Sequence, residues 1–168
     1  GELDLISALQ NSMKDNGEDR VASIDELKHE ISIVNNFKKV FLLIMSKAFE
    51  KYGEEIEKNQ QVLLALSDIM IETYFSESTL KRTIKNIDRS SVNDQLYQID
   101  MAKLYIYEAS QIILKKSKDI IISSCDAKTQ KDLLDKTEQL VSYSENPNIF
   151  EIKKSIADKI ISENKYCF

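Results

Sequence analysis

Tryptophan is absent from this 168-residue chain, and there are three glycines, one proline, two cysteines and one histidine. Each shortage narrows the field. Folds built from many short elements need frequent turns, and turns draw on Gly and Pro. Their scarcity disfavours all-β and Rossmann-like architectures and favours long helices with few connections. A lone histidine, His29, removes most Ser-His-Asp and Cys-His arrangements. It also blocks a carboxylate-bridged di-iron centre. Glu26-Leu27-Lys28-His29 matches one E-x-x-H half of such a site, but the ligand set needs a second copy. Cys125 and Cys167 are far apart and outside any C-x-x-C pair, as in a reduced, intracellular protein. The chain has no phosphate-cradling glycine pattern and no signal-peptide pattern, and no apolar run approaches the ~20 residues of a membrane span.

What remains describes an ordinary globular domain. Hydrophobic residues make up 42% and charged residues 30%, too apolar for a disordered chain. A single domain of this length buries roughly 70% of its unfolded surface. The net charge of −5 argues against nucleic acid as a partner. The basic clusters Lys81, Arg82, Lys85, Arg89 and Lys115, Lys116, Lys118 read as solvated helix faces. The chain begins at Gly1 rather than at an initiator Met, as expected of a piece of a longer protein.

The pattern along the chain predicts an all-α fold: an antiparallel up-and-down bundle of three long helices plus two shorter C-terminal helices. Leu3 to Met13 is a short amphipathic segment, and Lys14 to Arg20 is polar like a linker. Residues 1–22 are therefore assigned as a terminal segment and linker, and 23–168 as the bundle. Ser23 and Glu26 form a capping-box pattern that opens a helix through Tyr52, where Gly53 suits a left-handed terminus. A second helix is expected from about Glu54 to Ile87, and Asp88 to Ser91 connects it to a third that runs to about Ser123. The third carries Ile99, Ala102, Ile106, Ala109, Ile113 and Ile120 on one side, and alternating Ile with Ala permits close helix approach. Asp126 is placed to cap a fourth helix with Leu133, Thr137, Leu140 and Val141. Asn148 and Glu151 follow the break at Pro147 and open a fifth, with Ile149, Ile152, Ile156 and Ile160 on one face.

The second helix is the most informative. At about 100° per residue, Leu63, Leu66, Met70, Tyr74 and Ile84 share one stripe, and Leu64, Ile71 and Phe75 form another roughly a quarter-turn away. Apolar residues on two faces predict a helix walled by neighbours, the central post of the bundle. Glu77 falls inside the arc of Leu66, Met70, Tyr74 and Ile84, where a carboxylate must be paired or protonated. Lys81, a Tyr hydroxyl or a polar residue of a facing helix would serve. Glu54-Glu55 and Asp25-Glu26 sit at helix starts, where acidic residues complement the helix dipole. No set of residues makes a catalytic, cofactor-binding or metal-binding constellation, so none is assigned in any of these classes.

Leu66-Ser67-Asp68-Ile69-Met70-Ile71-Glu72-Thr73-Tyr74, with Leu80 and Arg82, resembles the L-A-D-x-x-I-[DE]-x-Y … L-x-R pattern of acyl-CoA dehydrogenases. Ile156-Ala157-Asp158-Lys159-Ile160-Ile161-Ser162-Glu163-Asn164-Lys165-Tyr166-Cys167-Phe168 is similar to the terminal I-A-D-K-[IL]-I-x-E-N-K-Y-C-F of bacterial members. The resemblance runs from about Ile24 to Phe168. It is to the appended C-terminal helical domain of the very-long-chain type, not to the catalytic core. It implies a parent flavoenzyme of fatty-acid β-oxidation, in which FAD takes a hydride from the β-carbon of an acyl-CoA and a glutamate removes the α-proton. The family's glutamate lies near Y-E-G-[TS] in the preceding core. Tyr107-Glu108-Ala109-Ser110 lacks the glycine, so no catalytic role passes to Glu108, and the fragment itself holds no FAD site. The resemblance implies the catalytic core of the same chain as partner, a role in oligomer architecture with a homodimer among the assemblies, and a cytoplasmic location. In such relatives the segment before the domain is associated with membrane attachment. Here Asn11 to Ser23 is polar and mixed in charge, which gives a membrane-surface role no support. An apolar stripe left uncovered is the expected mark of the docking surface for the core. An independent helical interaction module is the alternative.

Overall fold

The computed structural model describes residues 25–87 and 92–165. Among these, the fold is five helices and no strands. They are α1 (Lys28–Tyr52), α2 (Gln60–Ile87), α3 (Val92–Ser124), α4 (Ala127–Val141) and α5 (Ile149–Glu163). This is the all-α bundle of three long and two short helices that the sequence predicts. The Leu3–Met13 segment, the linker, the Ser23 cap and the Asp88–Ser91 connection lie outside the described residues.

Local chemistry sets most of the helix ends. The Asp126 carboxylate accepts hydrogen bonds from the Lys128 and Thr129 backbone N–H groups, both at 3.0 Å, and so caps α4. Asn148 Oδ1 accepts from the Glu151 N–H at 3.3 Å and caps α5. Gly53 takes φ +50°, as expected of the residue ending α1, but its ψ of −132° is extended rather than left-handed helical. A Cβ there would meet nothing within 4 Å, so backbone conformation alone calls for glycine. The start of α2 differs from expectation. Gly53–Lys58 forms a separate 3-10 turn that buries Ile56, and Asn59 breaks the path before α2 begins at Gln60. The acidic pair Glu54-Glu55 belongs to this turn, not to α2. At the other described end, a 3-10 turn at Asp25–Leu27 leads into α1, with no side-chain cap on Leu27.

The central helix is α3, not α2. It packs against α1, α2, α4 and α5, whereas α2 packs on α1, α3 and the 3-10 turn. At 33 residues α3 is about 50 Å long, enough to run the length of the bundle. Its buried stripe is Ile99, Ala102, Ile106, Ala109, Ser110, Ile113, Ser117, Ile120 and Ile121. Leu27, Val34, Phe37, Val40 and Ile44 of the α1 side complete the core. On α2 the buried residues are Val62, Ala65, Leu66, Ile69, Thr73, Ser76, Leu80 and Thr83. Hydropathy points to the large residues Met70 and Tyr74, yet small ones go inward, because they let α2 lie close to its neighbours. The Thr73 hydroxyl donates to the Ile69 carbonyl at 2.7 Å and Ser110 to the Tyr107 carbonyl at 2.6 Å, so these hydroxyls are buried with partners.

Several buried side-chain atoms lack a hydrogen-bond partner among the described residues, the hydroxyls of Ser76, Ser117, Thr137 and Tyr143 among them, and one belongs to a carboxyl. Glu30 on α1 is 3% exposed, and its Oε2 has no hydrogen-bond partner among the described residues. Burial pushes its carboxyl above the ordinary 4.5, against its own backbone N–H, Lys103 and His29. Tyr143, beyond α4, has its phenol raised by burial and then by Glu30 and Tyr107. The Tyr107 and Tyr143 rings lie 5.9 Å apart.

Three outcomes are expected. Ile106→Ala, at a fully buried position, should cost about 2–5 kcal/mol in urea denaturation. Ile71→Ala, on the exposed side of α2, should cost well under about 1.5 kcal/mol. For Glu30 the folded value is raised, so the native state loses stability as pH climbs from 4.5 through that value. Glu30→Gln should therefore gain on the wild type between pH 4.5 and pH 8. An equal loss at both pH values would mean that the effect comes from packing or hydrogen bonding of the side chain and not from its ionisation.

Candidate functional site

Of the residues that the sequence singles out on α2, Leu66 is buried and Leu63 and Ile84 pack against the core, while the others fall into an outward face and its two flanks. Leu64 is 65% exposed, Met70 52%, Ile71 45%, Tyr74 66% and Phe75 51%. At about 100° per residue these five occupy one arc opposite Ile69, Thr73 and Ser76, together with Ser67 and Ser78. No charged residue falls in that arc between Leu64 and Ser78. The Tyr74 and Phe75 rings meet edge-on with centroids 5.8 Å apart. The second apolar stripe on α2 is thus real, and among the described residues no helix covers it. Met70 and Tyr74, assigned to the first stripe, join it.

Polar ties to the neighbouring helices border the face. On the α3 side, Lys116 Nζ lies 2.6 Å from Asp68 Oδ2, and the Tyr105 hydroxyl donates to Glu72 Oε2 at 3.0 Å. Burial, and then this hydrogen bond, push the Tyr105 phenol up to about 12. On the α1 side, Glu77 Oε1 accepts from Lys38 at 3.0 Å and from Lys81 at 2.7 Å. Lys81 is one of the partners the sequence suggests for Glu77. Lys38, far away in sequence, has no local signal. Burial works against the ionised Glu77, but the hydrogen bonds from Lys81 and Lys38 outweigh it and hold the carboxyl below 4.5. An apolar centre free of charge with a polar border is the anatomy of a protein interface.

The other residues of interest are dispersed. His29 Nδ1 lies 3.2 Å from Ser144 Oγ at an exposed site, and Glu26 is exposed at the start of α1. Glu108 is on the exposed side of α3, where Lys153 of α5 donates to it at 2.6 Å. Lys115, Lys116 and Lys118 face Asp119, Asp68 and Glu138, so that basic cluster is balanced by acidic partners. Arg89 of the other cluster lies outside the described residues. Among the described residues, no three His, Cys, Asp or Glu side chains are grouped to hold a metal. An open cleft between α3 and α5 is lined by Glu26, Tyr97, Asp100, Lys103, Ser155 and Lys159, a mixture of both charge signs. Elsewhere on the surface, Phe150 and Ile161 of α5 are strongly exposed, about three helical turns apart.

The Glu77 bridge makes a pH-dependent prediction. A depressed carboxylate adds stability above 4.5 that is lost as pH falls through its folded value. Glu77→Gln should lower the urea midpoint at pH 7, and the gap to wild type should close below pH 4.5. A gap that persists in acid would mean the loss came from packing.

Comparison with known proteins accounts for the helical arrangement. Residues 36–138 match the family model of the acyl-CoA dehydrogenase C-terminal domain. A probable acyl-CoA dehydrogenase of Bacillus subtilis (strain 168) is 26% identical over 140 residues, covering 83% of this chain and 23% of that protein. The crystal structure of acyl-CoA dehydrogenase complexed with FAD from Bacillus anthracis matches with a TM-score of 0.83 and 25% identity. That match covers 99% of this chain and 27% of the other. This chain therefore spans about a quarter of the length of these relatives. With most of α1 to α4 inside the matched region, the chain belongs to the acyl-CoA dehydrogenase C-terminal domain family.

Proposed function

We propose that this chain is the non-catalytic C-terminal helical domain of an FAD-dependent acyl-CoA dehydrogenase of the long-chain type, located in the cytoplasm. The observation that carries the reading is the family match across residues 36–138, joined to a fold likeness that takes in 99% of the chain but 27% of an FAD-complexed relative. In the parent, the larger remaining portion holds the flavin. The β-carbon of the acyl-CoA gives a hydride to FAD, a core glutamate takes the α-proton, and a trans-2-enoyl-CoA leaves. FAD supplies the hydride acceptor. The bundle's part is to pack on that core and to support the oligomer. The terminal Ile156–Phe168 run supports the long-chain assignment through its resemblance to bacterial members of that group. No described helix is long and apolar enough to cross a membrane.

The test separates the domain from its parent. The 168-residue chain, mixed with FAD, palmitoyl-CoA and a dye acceptor, should retain no flavin after gel filtration and reduce no dye. The full-length parent should do both, with higher kcat/KM for palmitoyl-CoA than for butyryl-CoA. Turnover by the 168-residue chain would overturn the reading, and a butyryl preference would overturn its long-chain part.

A further inference from the structure

The five exposed side chains of α2 run from Leu64 to Phe75, a stretch of about 17 Å along the helix. Residues of this size at these exposures present on the order of 500 Å² of accessible surface, at the upper end of what a monomer leaves apolar. One side of a standard interface between separate proteins buries about 800 Å². The face is thus large for a soluble surface and small for an encounter between free molecules. A covalent tether resolves the mismatch. It raises the effective concentration of the partner to about the millimolar range, so a patch of modest area suffices. The relatives supply the tethered partner, since about three quarters of each lies outside the part that this chain matches.

Resting on the functional reading above, we propose that the α2 face formed by Leu64, Met70, Ile71, Tyr74 and Phe75 is the surface on which the catalytic core of the same polypeptide seats. The Asp68–Lys116, Glu72–Tyr105 and Glu77–Lys38 ties fix the rotation of α2 and so present the five side chains to the core as one preformed patch. Tyr74 and Phe75 are its anchors. Aromatic side chains carry much of the binding energy of interfaces and lose little conformational freedom when they pack. The complementary surface on the core is apolar and uncharged at its centre, because the face offers no charged partner between Leu64 and Ser78.

Hydroxyl-radical footprinting tests this directly, since Met70, Tyr74 and Phe75 are oxidisable side chains. In the full-length parent their oxidation should slow by about an order of magnitude relative to the 168-residue chain, as for groups moved into a packed interface core. Tyr74→Ser with Phe75→Ser should leave the circular dichroism of the 168-residue chain unchanged and restore fast Met70 oxidation in the parent. Equal oxidation in parent and isolated chain, with flavin bound to the parent, overturns the surface while the functional reading stands. A parent without bound flavin overturns the functional reading itself. Protection that appears in the 168-residue chain as its concentration rises assigns the face to a second copy and overturns the proposal. Protection only by phosphatidylglycerol vesicles assigns it to a membrane, with the same result.

Discussion

The close approach of α2 to α3 is the constraint on which the rest depends. On α3 the buried stripe alternates isoleucines with Ala102, Ala109, Ser110 and Ser117, and on α2 the inward arc carries Ala65, Thr73 and Ser76. Small side chains bring two helix backbones together, and dispersion contacts grow with the number of atoms in reach. Thr73 and Ser110 donate back to a carbonyl one turn earlier, whereas the Ser76 and Ser117 hydroxyls are buried without a partner among the described residues. Once α2 is seated by these small residues together with Leu66, Ile69 and Leu80, the apolar side chains of Leu64, Met70, Ile71, Tyr74 and Phe75 are left on its outward side. Turning α2 by one residue position would bring Phe75 toward the core, but it would also pull Asp68 from Lys116 and Glu72 from Tyr105.

That seating makes α3 the hub. It packs against all four of the other helices, and of the two shorter ones α4 also packs on α1. α5 is the least embedded of the five, with no buried residue and a solvent-exposed ion pair from Lys153 to Glu108 of α3. The acidic network at Glu77 belongs to the same scheme. Its two lysines come from different helices, so one carboxylate fixes a helix pair and offsets its own partial burial.

Much of this was legible from local signals. The caps at Asp126 and Asn148 and the positive φ at Gly53 follow from side-chain reach and backbone sterics, which act over three or four residues. Helix spans followed from periodicity, apart from the six-residue turn at Gly53–Lys58, where the acidic pair Glu54-Glu55 imitates a helix start. The place of α2 was misread for a physical reason. Hydropathy ranks Met70 and Tyr74 above Thr73 and Ser76, whereas packing ranks shape, and shape cannot be judged without the facing helix. The partners of Asp68 and Glu72, Lys116 and Tyr105, lie more than thirty residues away, beyond the reach of any local signal.

The sequence alone determined the class of the fold, most of the helix termini and the family, because helix propensity, capping and motif spacing are written along the chain. It also required that Glu77 be paired, hydrogen-bonded or protonated. Only the tertiary structure decided which helix stands at the centre, which of the two apolar stripes of α2 is buried, and which distant groups hold its flanks. Those outcomes depend on the distance between helix axes. That distance is set by small residues on two helices at once, a property of the pair that neither helix carries by itself.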